Sequence, residues 1–127
     1  MIIVPIQFFT EDELKCKCGC GILNMTDQHL KNIDVLRYAI GLKLKVTSGC
    51  RCKEHNKNVG GVTTSRHECT TKQADATDLT CENIVRLFNT ARQLGIFKEV
   101  ILYEKSDFVH VATFPEKKFN YYTIEYK

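Results

Sequence analysis

The sequence of 127 residues has no tryptophan, only two prolines and no long apolar run. Because a membrane-spanning helix needs about 20 consecutive apolar residues, we expect no membrane contact. The few prolines and seven glycines are scattered and mark no linker, repeat or low-complexity segment, so a single domain over residues 1–127 is expected. The net charge is only +3, from 18 basic and 15 acidic residues. This is too small and too interspersed to indicate nucleic-acid binding.

An export signal is also missing from the N-terminus. The segment Met1-Ile2-Ile3-Val4-Pro5 has no basic residue, and its apolar run is too short for a signal peptide. We therefore expect a protein that another factor must release if it acts outside the cell that makes it. The seven cysteines contrast with this expectation, because disulfides form poorly in a reducing cytosol.

Apolar periodicity predicts two main helices. The first runs over 27–40, with Thr26 as N-cap, Gly41 after its last residue and an apolar stripe at Leu30, Ile33, Leu36 and Ile40. The second is predicted over 82–94 and closes at a glycine. A capping-box sequence at residues 10–13 also indicates a short helix or turn.

Short strands account for most of the remaining order. They are predicted at residues 42–47, 76–79, 100–103, 108–113 and 121–126, with a hairpin turn at 105–107. Together with the helices they predict an α+β domain with a small antiparallel sheet. A polar loop over about residues 48–73 joins the first two strands, and loops of this length are usually functional or disordered.

The four histidines are few enough to be weighed singly. His29 lies among polar neighbours in the first predicted helix and is expected to be an ordinary surface residue. His55 lies in the polar loop and is expected to be structural or exposed. His110 is different, because it lies within an apolar strand, where an unpaired imidazole is costly to bury. A hydrogen-bonded core histidine is one interpretation of His110, and a metal ligand is the other.

A metal site becomes plausible when three segments are combined. A catalytic zinc ion binds three nitrogen or oxygen ligands from the protein and keeps a fourth position open. His67 from the loop, Asp78 from a short strand and His110 from a later strand would supply such a set. Alternation along the 76–79 strand would place Asp78 on the face opposite Leu79, so the carboxylate could point into a cleft. These spacings alone are a weak signal.

Several motifs occur in an order that resembles a known family. They are Thr47-Ser48-Gly49-Cys50-Arg51-Cys52, His55-Asn56, Val59-Gly60-Gly61-Val62, Ser65-Arg66-His67, Ala74-Asp75-Ala76-Thr77-Asp78-Leu79 and Phe108-Val109-His110-Val111. In this order they resemble the zinc D-Ala-D-Ala carboxypeptidase family, in its short phage-type branch. The resemblance extends from about Phe8 to Thr113 and implies the hedgehog/DD-peptidase fold.

The resemblance implies a role for each matching residue. His67, Asp78 and His110 fall on the zinc ligands of the family. Asp107 falls on its general acid/base, and Arg51 on the arginine that faces the substrate or the developing oxyanion. Ser65 would support the adjacent ligand. The implied activity is zinc-dependent hydrolysis of peptidoglycan stem peptides, by a carboxypeptidase or an endopeptidase such as a phage endolysin. The substrate is then the implied partner, and a monomer is expected.

The sequence also departs from the family pattern. An insertion around residues 70–72 lengthens the separation of His67 and Asp78, and it leaves Asp75 as a competing ligand candidate. Ala74 replaces a glycine and Cys50 a tyrosine. Ala112 replaces the aspartate of the H-V-D strand, so any hydrogen bond made by that carboxylate is expected to be missing.

The cysteines allow three interpretations. Cys16, Cys18 and Cys20 precede the first helix, and Cys50 and Cys52 follow the first strand. These residues could form disulfides, bind a structural zinc ion through four thiolates or remain as free buried thiols. Cys69 and Cys81 could form a disulfide across the insertion.

Two other functions remain open at this point. The loss of the aspartate at position 112 is compatible with a metal-binding relative that binds the cell wall or forms part of a virion without catalysis. The cysteine motifs are compatible with a zinc module that binds nucleic acid, but no aromatic residues are patterned beside a basic groove to stack bases.

Overall fold

The computed structural model describes residues 6–127, which form an α+β fold of four helices and one five-stranded sheet. The expectation that Met1–Pro5 form no export signal lies outside the described residues. None of the helices in residues 6–127 has the length and apolar character to cross a bilayer. The elements in chain order are α1 (Glu11–Leu14), α2 (Asp27–Ile40), β1 (Lys45–Ser48), α3 (Lys53–Asn58), β2 (Ala76–Thr80), α4 (Ile84–Leu94), β3 (Glu99–Tyr103), β4 (Phe108–Ala112) and β5 (Tyr121–Glu125).

The sheet has the strand order β1-β2-β4-β3-β5. Its first three pairings are antiparallel, as predicted, whereas β5 runs parallel to β3. The connection after β4 explains this difference. Ala112 at the end of β4 and Tyr121 at the start of β5 both pair with Glu99 at the start of β3. Because the connection stays at this end of the sheet, β5 starts beside the start of β3 and runs parallel to it.

Helix α2 forms where the sequence predicts it. The Thr26 hydroxyl accepts a hydrogen bond from the backbone N–H of His29, and Gly41 ends the helix in the left-handed conformation at φ 69°. The predicted apolar stripe is buried, and full burial of each such side chain stabilises the fold by roughly 1.5–3 kcal/mol. Its members are Leu30, Ile33, Leu36 and Ile40.

The two faces of the sheet have different roles. Leu79 on β2 packs in the hydrophobic core with residues of α2 and α4, whereas Asp78 lies on the opposite face. The predicted alternation along β2 is therefore correct. The long loop between β1 and β2 contacts this second face through His67 and Arg51, and Asp78 is buried there without entering the core.

The long loop is better ordered than its composition predicts. It contains helix α3, whose Asn56 side chain is buried and donates a hydrogen bond to the Val62 carbonyl at 2.8 Å. A Cβ atom at Gly61 would collide with the Asn56 side chain, so the loop can close around this amide only with glycine there. Glu68 accepts hydrogen bonds from Thr70 and Thr71, which ties down the predicted insertion.

The expectation that His29 is a surface residue is wrong. Its side chain is fully buried between the sheet and α2, with Nε2 2.7 Å from the Thr77 hydroxyl and Nδ1 2.8 Å from the Thr113 hydroxyl. His29 lies one helical turn before Ile33 and therefore on the buried face. Burial, and then the charges of His67 and His110, lower the pKa of His29 to about 3.

This burial predicts a pH-dependent loss of stability. The pKa of His29 is about 3 in the folded protein and has an ordinary value of 6.5, so the unfolded state takes up the proton first as the pH falls. Stability is therefore fully present above pH 6.5 and declines toward pH 3. Between pH 7 and pH 5 the free energy of unfolding should fall by about 2 kcal/mol more in the wild type than in His29→Gln. Urea denaturation at both pH values measures this difference.

His55→Gln is the matched control for this experiment, since His55 is only partly buried at the surface of α3. It should keep the pH dependence of the wild type. An identical pH dependence in His29→Gln and the wild type would contradict the buried neutral state of His29.

Candidate metal centre

The register of two neighbouring strands brings the first two site residues together. Asp78 on β2 and His110 on β4 are direct cross-strand partners. Residues directly opposite each other in an antiparallel pair point to the same face with Cβ atoms about 5 Å apart. His67 reaches them from the long loop. Its backbone carbonyl accepts a hydrogen bond from Arg51 N–H at 2.7 Å, which holds this part of the loop beside the end of β1.

The three side chains converge on one point. His110 Nδ1 lies 2.9 Å from Asp78 Oδ1, and His67 Nε2 lies 3.2 Å from the same oxygen. The two imidazole nitrogens are 3.3 Å apart. All three possible ligand atoms lie within 4.8 Å of one another. The structure thus brings together His67, Asp78 and His110, the residues that the sequence suggested as a ligand set.

Each imidazole is oriented by a second partner on its outer side. His67 Nδ1 is 2.8 Å from the Gly49 carbonyl oxygen, and His110 Nε2 is 3.2 Å from Glu99 Oε1. Since a carbonyl or carboxylate oxygen accepts a hydrogen bond, the outer nitrogen of each ring carries the proton. The inner nitrogens can then present lone pairs to a cation, which is the arrangement that orients metal-binding histidines.

The cluster is also electrostatically coupled. Burial alone would lower the pKa of His110, but hydrogen bonds with Asp78 and Glu99 outweigh it and raise the pKa to about 9. Burial likewise opposes ionisation of Asp78, yet the charge of His67 and the hydrogen bond from His110 hold its pKa below the ordinary range. Asp78 is therefore a carboxylate that shares a proton with His110, and a bound cation would displace that proton.

Arg51 lies at the edge of this cluster. Its Nη2 atom is 3.7 Å from Asp78 Oδ2. The guanidinium is held from two other sides, because Nε donates to the Ser48 hydroxyl at 3.1 Å and Nη1 to the Asn56 side-chain oxygen at 3.3 Å. Asn56 thus joins the loop around Gly61 to the arginine, which gives the His55-Asn56 and Gly60-Gly61 motifs a common structural purpose.

Asp107 and Ser65 are placed differently. Asp107 is exposed in the hairpin before β4, in a left-handed conformation at φ 61°. Its carboxylate has no hydrogen bond or ion pair within residues 6–127, so the structure does not gather it into the cluster. The Ser65 hydroxyl accepts a hydrogen bond from the His67 backbone N–H at 3.2 Å. This contact is consistent with the supporting position expected for Ser65.

Asp75, the competing ligand candidate, faces elsewhere. Its carboxylate accepts two hydrogen bonds from Arg66, at 2.7 Å from Nε and 2.6 Å from Nη2, and a third from Phe114 N–H at 3.1 Å. A buried carboxylate held by a bidentate guanidinium is already neutralised. Asp78, not Asp75, is therefore the carboxylate in the cluster.

One family model matches most of the chain. The family model described as Peptidase M15 matches residues 7–112, most of the chain. The chain belongs to the peptidase M15 family. No curated protein matches it significantly. The match includes every residue of the cluster, together with Arg51 and Asp107, and it confirms the family resemblance of the sequence motifs.

Sequence reasoning missed one residue of this M15 site. Glu99 lies on β3 directly opposite Ala112, the position where the family pattern has aspartate. Its carboxylate contacts His110 Nε2 and lies 3.5 Å from Lys117 Nζ. The hydrogen bond from His110, against the opposing effect of burial, lowers the pKa of Glu99, so the group is ionised. Position 112 carries no carboxylate, as expected, but His110 is contacted by the carboxylate of Glu99 from the neighbouring strand.

Asp75→Asn should destabilise the protein without removing the metal cluster. Removing one charge of a buried, hydrogen-bonded pair costs about 3 kcal/mol, because Arg66 loses its buried partner and keeps only the exposed one. Glu116→Gln is the matched control, since Glu116 contacts the same guanidinium from an exposed position. It should cost less than about 1 kcal/mol. Urea denaturation measures both, and equal effects would contradict the assignment of Asp75 as a structural carboxylate.

Glu99→Ala should weaken metal binding at the cluster about 10–100-fold, because His110 loses the acceptor that orients it. Zn²⁺ affinity is measured by competition with a chromophoric chelator. The Zn²⁺-binding event that Asp78→Asn abolishes is assigned to this cluster, and its affinity is the one compared between variants. Glu104→Ala is the control, since Glu104 is exposed in the hairpin after β3. Unchanged affinity in Glu99→Ala would show that Glu99 does not position His110.

Proposed function

We propose that this M15 protein is a zinc metallopeptidase that hydrolyses peptidoglycan stem peptides. The convergence of His67, Asp78 and His110 on one point is the observation that supports this proposal most strongly. The nature of the three donors agrees with it. Two imidazole nitrogens and one carboxylate oxygen are the ligand types of catalytic zinc sites, which keep a further position for water or substrate.

The chain's own residues would divide the chemistry as follows. Zinc held by the three side chains would acidify a water molecule and polarise the scissile carbonyl. Asp107 would accept the proton of the attacking water and return it to the leaving amine. The support for this role is the position of Asp107 three residues before His110, which matches the family motif, and its exposed carboxylate has no hydrogen bond or ion pair in the described part of the chain.

Arg51 would bind the anionic part of the substrate. A stem peptide ends in a free carboxylate, which a guanidinium can hold through two parallel hydrogen bonds. The contacts to Ser48 and Asn56 fix the guanidinium beside Asp78 before substrate arrives. A carboxypeptidase would use this contact to select the terminal D-Ala, whereas an endopeptidase would place the developing oxyanion there.

A non-catalytic, wall-binding or virion relative is the alternative. It was motivated by the missing aspartate at Ala112. The position of Glu99 weakens this motive, because a carboxylate still contacts His110 from the adjacent strand. The alternative predicts a different result, namely binding to purified cell walls without any release of product.

Hydrolysis tests the proposal directly. Zinc-loaded protein should release D-Ala from a D-Ala-D-Ala peptide or new amino groups from purified peptidoglycan. Chelation should abolish the activity, and added Zn²⁺ should restore it. A protein that binds zinc at the cluster but turns over neither substrate would contradict the proposed function.

Asp107→Asn should lower kcat about 10²–10⁴-fold, because the amide cannot take up the proton. Asparagine tolerates the left-handed conformation at this position, so the hairpin should be preserved. Ser106→Ala in the same turn is the matched control and should keep wild-type kcat. Zinc affinity should be unchanged in both variants. The loss of kcat in Asp107→Asn is thereby distinguished from the loss of zinc affinity expected in Glu99→Ala. Wild-type kcat in Asp107→Asn would contradict the role of Asp107.

A further inference from the structure

Four cysteines form a second cluster, separate from the His67, Asp78 and His110 site. The sulfur atoms of Cys16, Cys18, Cys20 and Cys52 all lie within 4.8 Å of one another. Cys18 Sγ is 3.4 Å from Cys16 Sγ and 3.6 Å from Cys52 Sγ. All seven cysteines lie in the described part of the chain, and none of them is in a disulfide.

The sulfur separations suit one shared ion better than two covalent pairs. Thiolates at about 2.3 Å from a tetrahedral zinc ion are about 3.8 Å apart from each other. A disulfide instead needs two sulfurs at about 2.05 Å and places no constraint on the other pair. Here each sulfur has three sulfur neighbours within 4.8 Å, as four ligands of a single ion require.

The backbone around the cluster is built to gather these sulfurs. Gly19 and Gly21 adopt φ values of 94° and 77°, which side chains rarely tolerate, and so the chain can turn tightly between the cysteines. The Cys16 N–H closes the turn by donating to the Ile22 carbonyl at 2.9 Å. Three cysteines spaced two residues apart can therefore face one point.

Two sulfurs also accept backbone hydrogen bonds. Cys52 N–H donates to Cys16 Sγ at 3.4 Å, and His55 N–H donates to Cys52 Sγ at 3.3 Å. Hydrogen bonds from amides to sulfur stabilise the ionised form, which is the form that binds metal. The second of these bonds also makes the Cys52 sulfur the cap of helix α3.

We propose that Cys16, Cys18, Cys20 and Cys52 bind a structural zinc ion that fastens the N-terminal segment to the Arg51 loop. Each thiol that is protonated beforehand loses its proton to solvent on binding, and no oxidant or reductant is needed. Four thiolates close the coordination shell, so this ion would have no open position for water. Its function is to hold the loop.

The position of the cysteine cluster explains how an ion bound there would stabilise the Arg51 loop. Cys52 directly follows Arg51, and Cys50 N–H donates to the Leu14 carbonyl at 2.8 Å. Gly49 lies against the backbone of Leu14, and a Cβ atom there would collide with it. The same Gly49 carbonyl orients His67. Fixing residues 16–20 against Cys52 therefore stabilises both the orientation of a catalytic-site histidine and the position of Arg51.

The remaining cysteines are outside this cluster. Cys50 and Cys69 are buried in the hydrophobic core, and the Cys81 thiol donates to the Asn83 carbonyl at 3.3 Å. The proposed disulfide between Cys69 and Cys81 is therefore absent. Cys81→Ser provides a control that removes a thiol without touching the cluster.

Metal analysis of the full-length protein, purified with reductant and without chelator, tests the proposal. The wild type should contain two zinc ions per chain, and Asp78→Asn should retain one. Adding Cys18→Ser and Cys20→Ser to Asp78→Asn should remove the second ion, whereas adding Cys81→Ser should not. Cys18 and Cys20 are both exposed, so their replacement should not disturb the core. The measurement does not depend on peptidase activity, because the Asp78→Asn background is used throughout.

Cobalt gives a readout that requires no cysteine substitution. Co²⁺ added to Asp78→Asn should produce the near-ultraviolet thiolate-to-cobalt absorption and the visible spectrum of tetrahedral sulfur ligation. Asp78→Asn without any zinc, or cobalt spectra without thiolate absorption, would overturn the proposal. So would a thiol titration of the unfolded wild type that finds these four cysteines oxidised to disulfides.

Discussion

The antiparallel pairing of β2 with β4, which sets Asp78 opposite His110, is the constraint on which the candidate site depends. A shift of one residue in this register would turn either side chain to the other face of the sheet. The imidazole or the carboxylate would then enter the core, where Leu79 and Val109 now pack. The apolar residues that alternate with the two polar ones therefore fix the register and so assemble the site. Core packing on one face determines the chemistry available on the other.

The third member of the cluster depends on a different kind of order. His67 belongs to a mostly polar loop that contributes Cys50, Cys69 and Ala74 to the hydrophobic core, but the His67 side chain itself is not part of that core. Its position relies on polar contacts instead, chiefly the Gly49 carbonyl on its ring and the pairing of its backbone with Arg51. A loop held in this way is expected to open more easily than the strands. The cysteine cluster joins residues 16–20 to Cys52, which directly follows Arg51 in this loop.

Local signals in the sequence predicted those parts of the fold that local interactions determine. The ends of α2 follow from Thr26 and Gly41, and the short strand at β2 follows from alternation around Asp78. Helix α3 was missed because its six residues carry no apolar stripe. The parallel direction of β5 depends on which strand edge remains free, and this is a property of the whole sheet.

The candidate site also has parts that local sequence signals predicted and parts that depend on the whole fold. Motif order along the chain was enough to select His67, Asp78 and His110, which the structure brings together. Burial of His29 was missed because its neighbours in sequence are polar, although its spacing from Ile33 places it on the inner face of the helix. Glu99 could not be found by any local pattern, because its relation to His110 exists only through the pairing of β3 with β4.

Glu99 shows that a carboxylate can reach His110 from the adjacent strand, where its direct partner on the strand of His110 is Ala112. Facing positions on adjacent strands are distant along the chain but nearly superposable in what they can touch. The carboxylate that faces His110 therefore lies across the sheet, eleven residues away along the chain, and not on the strand of His110 itself.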